Sequence, residues 1–110
     1  AEARALVEEI DHPAIELMFD FHNTADETES FDALIAAHYD RIRHVHVQEM
    51  DGRHLGTGNA VETFVPGFQA LKDRGYDRWV SLEVFDFAPG GRRIAEESMA
   101  ALRRIEARLT

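Results

Sequence analysis

The chain has 110 residues and a mass of 12.5 kDa, enough for one domain or part of one. Its 21 acidic and 12 basic residues leave a net charge of −9, which repels phosphate backbones and argues against non-specific nucleic-acid binding. With 45% hydrophobic residues it can build a core, no apolar run approaches the roughly 18 residues of a membrane span, and without cysteine it has no disulfide, thiolate metal site or cysteine nucleophile.

Residues 2–10 read as a helix, with Ala3, Leu6, Val7 and Ile10 on one stripe. The stretch Asp11-His12-Pro13 ends it, because the residue before a proline disfavours the α region. From Ile15 to Phe21 the pattern has period two and predicts a strand: Ile15, Leu17, Phe19 and Phe21 alternate with Glu16, Met18, Asp20 and His22. A polar loop over 23–30 follows, and Ser30 or Asp32 is placed to cap a helix running to about Asp40. A second strand is expected from Arg43 to Glu49, with Val45 and Val47 on one face and His44, His46 and Gln48 on the other. Beyond a glycine-containing loop over 50–60, one helix is predicted to about Arg74, with Pro66 in its first turn. Phe64, Phe68 and Leu71 are its core stripe and Gly75 its stop. The third strand, Trp79 to Phe85, sets Val80, Leu82 and Val84 against Ser81, Glu83 and Phe85. After the turn Pro89-Gly90-Gly91 a final helix lines up Ile94, Met99, Leu102, Ile105 and Leu109.

Strands alternating with helices imply an α/β fold, with a parallel sheet and the helices packed outside it. Three strands cannot close a barrel. A (β/α)8 barrel takes about 250 residues, so these units correspond to its last three, preceded by one helix.

Each strand carries one polar group near its carboxyl end, opposite its aliphatic face: Asp20, His46 and Glu83. Sites in parallel α/β proteins form at those ends, and two carboxylates with an imidazole suit Mn2+, Co2+, Mg2+ or Zn2+. A bland reading stands beside each. Asp20 is also a turn former at a strand end, and the His44-Val45-His46 spacing is short enough to arise by chance. Glu83 is harder to dismiss, since a carboxylate inside an apolar strand needs a cation or a donor. His22 shares a face with Asp20 and serves either a substrate hydroxyl or a local hydrogen bond. Arg53 reads as a solvated charge and Gly56-Thr57-Gly58 as a flexible turn, while His12, His38 and His54 have no evident partner.

Four segments, read together, resemble the xylose isomerase-like TIM-barrel superfamily, most closely its sugar epimerase, hydroxypyruvate isomerase and sugar-phosphate isomerase branch. They are Phe19-Asp20-Phe21-His22-Asn23, the run from Ile42 to Glu49, Gly56-Thr57-Gly58, and the run from Gly75 to Glu83. The resemblance implies a divalent metal held by Glu, Asp, His and Glu from successive strands, with Asp20, His46 and Glu83 as the last three of that set. The first glutamate is expected on a strand ahead of Ala1. Glu83 then doubles as one of two carboxylates that exchange the proton α to a carbonyl through an enediolate. His22 resembles a substrate-contacting histidine, one residue nearer the aspartate than in the family, and Arg53 resembles an arginine that reaches sugar hydroxyls or phosphate.

On this reading the protein is a metal-dependent sugar isomerase or epimerase, with Mn2+ the first choice of ion. The expected substrate is a small sugar or sugar phosphate, with no nucleic acid and no membrane as partner. The lack of cysteine and the charged amino-terminal stretch fit a cytoplasmic location. Alternatives are an inosose-type dehydratase on the same metal cage, a DNA-repair endonuclease of the same superfamily, or a half-barrel that only binds or associates. Open strand edges predict self-association or docking with the rest of a barrel.

Overall fold

A computed structural model describes residues 1–110. Its elements are helix α1 (Glu2–Ile10), strand β1 (Leu17–Asp20), helix α2 (Phe31–His38), strand β2 (Ile42–Val47), helices α3 (Ala60–Thr63) and α4 (Val65–Asp73), strand β3 (Val80–Leu82) and helix α5 (Gly91–Glu106). Short 3-10 turns occupy His22–Thr24 and Tyr39–Arg41. The strands form one parallel sheet in the order β1-β2-β3, as the alternation predicts. No helix is long and apolar enough to cross a membrane.

Two differences from the expected elements stand out. The helix anticipated over 60–74 is two helices, because Pro66 cannot donate to the carbonyl four residues back and the ladder is interrupted at Phe64. The strands are also shorter than their alternating patterns. β3, an edge strand, spans only the three residues Val80–Leu82. At the end of α4 the expectation holds. Gly75 takes φ 74° and its N–H bonds to the Lys72 carbonyl, while the Tyr76 N–H bonds to that of Leu71. This pair of bonds closes a Schellman cap, whose left-handed position favours glycine.

The core lies between the sheet and the helices, where Phe19, Phe21, Val45 and Val47 pack against Leu34, Ile35, Val61, Phe64, Leu71 and Ile105. Phe21 is fully buried and stacks on Phe64 and Phe68 at centroid distances of 4.4 and 5.1 Å. The apolar stripe of α1 is largely bare, with only Val7 buried. On α5 the buried face is Ile94, Ser98, Ala101 and Ile105, and the expected Met99 points outward. Ser98 and Ala101 keep the 3.6-residue spacing, and Ala101 is small enough to let the loop at Gly56 approach.

Candidate metal centre

Strand pairing assembles the polar face of the sheet in layers. A register shift between Leu17 and Met18 brings Met18 opposite His44 and Asp20 opposite His46, and His46 in turn pairs with Ser81. The Glu83 N–H then bonds to the Val47 carbonyl at 3.0 Å, so pairing continues one residue past β3 and carries Glu83 onto the same face. Period two does the rest. Asp20, His46 and Glu83 each offer a ligand atom, and these atoms all lie within 4.8 Å of one another.

The donor set fits a divalent cation. Two carboxylates and an imidazole are hard and borderline donors of the kind that Mn2+, Co2+, Mg2+ and Zn2+ take. Asp20 is buried and held on both oxygens: Oδ1 accepts the His22 N–H at 2.9 Å and Oδ2 the Asn23 amide at 3.1 Å. Burial pushes its carboxyl above the usual range, opposed by the His22 N–H and reinforced by the neighbouring Glu83 carboxyl. A cation at this point relieves that cost. Glu83 is about a third exposed, and its Oε2 lies 3.4 Å from His46 Nδ1.

A match to the model of the xylose isomerase-like TIM barrel family spans residues 1–105. The chain belongs to that family. Among solved structures it is similar to the 3-keto-D-glucoside 4-epimerase of E. coli, with a TM-score of 0.75 and 20% identity, over 96% of this chain and 38% of that one. It is also similar to an L-ribulose 3-epimerase, with a TM-score of 0.68 and 24% identity, over 94% of this chain and 38% of that one. The chain thus spans less than two-fifths of these neighbours, and at such identities the likeness concerns the fold. No functionally curated protein matches it. The family fold accounts for the open sheet: three parallel strands with outer helices are consecutive units of a barrel wall.

Around the three clustered side chains, the other anticipated residues take different places. His22 is not a strand residue; it opens the 3-10 turn after β1. Its Nδ1–H donates to the Glu49 carbonyl at 3.1 Å and its ring meets Phe85 edge-on at 5.7 Å, which leaves Nε2 as the acceptor. Arg53 is exposed and paired with Asp51 at 2.7 Å. His44 faces Ser81 Oγ at 2.8 Å and stays outside the cluster. His54, for which the sequence suggests no partner, is buried, with Nε2 2.7 Å from Glu97 Oε2 on α5.

Glu49 and Gln48 were not singled out by the residue pattern. Glu49 is buried, and its two oxygens accept the Gly56 and Ala60 N–H groups at 2.9 and 3.1 Å. The loop expected to be a flexible turn is therefore pinned by a carboxylate. A Cβ on Gly58 would lie 2.8 Å from Glu49 Oε2, so only glycine fits there without displacing it. Gln48 is fully buried one step beyond His46, and its Nε2 donates to Glu83 Oε2 at 3.2 Å. Parity alone puts it on the polar face and gives no sign of its burial.

Proposed function

We propose that the complete barrel containing these units is a divalent-metal-dependent sugar isomerase or epimerase that moves a proton α to a carbonyl. The observation that carries this reading is the convergence of Asp20, His46 and Glu83 within 4.8 Å, on a chain of this family. Asp20, His46 and Glu83 would hold the ion, Mn2+ being the first to test and Co2+, Mg2+ and Zn2+ the alternatives. When bound, the ion would supply Lewis acidity toward a ketose carbonyl and the adjacent hydroxyl, which acidifies the C–H of the hydroxyl-bearing α-carbon.

Glu83 is the proposed catalytic residue: a carboxylate at the open end of the strand, with part of its surface in solvent, can accept that proton as general base. A proton returned to the opposite face of the same carbon by a second carboxylate, the other glutamate that the family resemblance implies, gives epimerisation, and return to the neighbouring carbon gives aldose–ketose isomerisation. His22, oriented through Nδ1, offers Nε2 to a sugar hydroxyl. Arg53, which must exchange Asp51 for substrate, is the proposed contact for a hydroxyl or phosphate.

The test is Glu83→Gln in the full-length protein, assayed with a panel of ketoses and ketose phosphates. Turnover should fall by about 10²- to 10⁴-fold or more while the melting temperature is retained. Near-normal epimerisation by a folded variant would overturn the assignment.

A further inference from the structure

We infer that Gln48 is a positioning residue for Glu83: its side-chain amide sets the orientation of that carboxylate and, through it, the affinity of the centre for a divalent cation. The inference rests on the metal-centre reading above and concerns a residue outside the ligand set.

Three observations lead to it. Extended from the His46–Ser81 pairing, the register places Gln48 opposite Glu83 on the polar face, one layer above the His46 ring. Gln48 is fully buried, and its Nε2–H donates to Glu83 Oε2 at 3.2 Å. Only the NH2 end of the amide can face a carboxylate, so the direction of this bond follows from chemistry. The same Oε2 lies 3.4 Å from His46 Nδ1, so one oxygen of Glu83 is held between two nitrogens.

The other end of the amide is the telling part. Gln48 Oε1 is buried and accepts no hydrogen bond. An amide with half its bonding unmet is a poor choice for stability, since an apolar side chain of similar size fills such a space without an orphaned acceptor. What an apolar residue cannot supply is the N–H directed at Glu83. Ligating carboxylates are characteristically oriented by such outer partners, whose loss weakens metal binding about 10- to 100-fold.

The experiment measures Mn2+ isotherms by calorimetry and metal-free melting temperatures for the full-length protein and its Gln48→Met, Gln48→Leu and Glu83→Gln variants. Gln48→Met should keep or raise the metal-free melting temperature while weakening Mn2+ binding about 10- to 100-fold. Wild-type affinity in both Gln48 variants, with affinity lost in Glu83→Gln, would overturn the role of Gln48 and leave the centre standing. Unchanged affinity in Glu83→Gln would remove the centre itself. If both Gln48 variants lose stability together with affinity, Gln48 is a packing residue and the inference fails.

Discussion

His54 and Glu97 join the loop after β2 to helix α5, with His54 Nε2 2.7 Å from Glu97 Oε2. The His54 contact, assisted by Arg93, holds the Glu97 carboxyl below the usual carboxylate range. A depressed folded-state value means that ionised Glu97 stabilises the fold above the ordinary carboxylate pKa, and that the contribution is lost as pH falls through the lowered one. Thermal melts of the wild type and Glu97→Gln should therefore diverge near pH 6, with the wild type higher, and converge in strong acid. A gap independent of pH would contradict this account. Such a pair, 43 residues apart, has no local signature in the chain, whereas Asp20, His46 and Glu83 had one. Their shared parity on three strands was legible because side-chain direction alternates whatever the tertiary context. Asn23 and Gln48 became visible only when backbone pairing and loop packing had set the distances.

Loops and helices here are tied by single buried groups, and the loop at 50–60 depends on Glu49. Its carboxylate satisfies the Gly56 N–H and the Ala60 N–H at the start of α3. Glu49→Ala would leave both donors without their charged acceptor, at a cost of about 3 kcal/mol by urea denaturation. Gly58→Ala should cost about 1–2 kcal/mol, because its methyl needs space taken by the Glu49 oxygen. Wild-type stability in both variants would show that the loop is held some other way. Element types were readable from periodicity, and the Gly75 cap from residue type alone. The buried face of α5 was not. Counting large apolar residues favours Met99, while the close approach of the Gly56 loop selects a small residue at Ala101. Bulk and burial part company wherever two backbones come near each other.

The outer edges of the sheet, along β1 and β3, are unpaired, and Trp79, Phe85, Phe87 and Met18 are exposed. Trp79 retains 79% and Phe87 71% of its accessible surface. A closed barrel has no such edges, and the solved relatives are more than twice as long as this chain. We expect the 110-residue chain, expressed alone, to elute above 12.5 kDa in size-exclusion chromatography, through self-pairing of these edges. A cooperative monomer at the formula mass would contradict that. The parallel sense of the strands was legible from the alternation of elements.

The central claim is that three strands deliver Asp20, His46 and Glu83 to one cation. Its most direct test is Mn2+ titration of the full-length protein beside Asp20→Ala, His46→Ala and Glu83→Gln, each checked for folding by circular dichroism. The account predicts one saturable site whose affinity drops at least tenfold in every variant. Undiminished binding in any folded variant would contradict it.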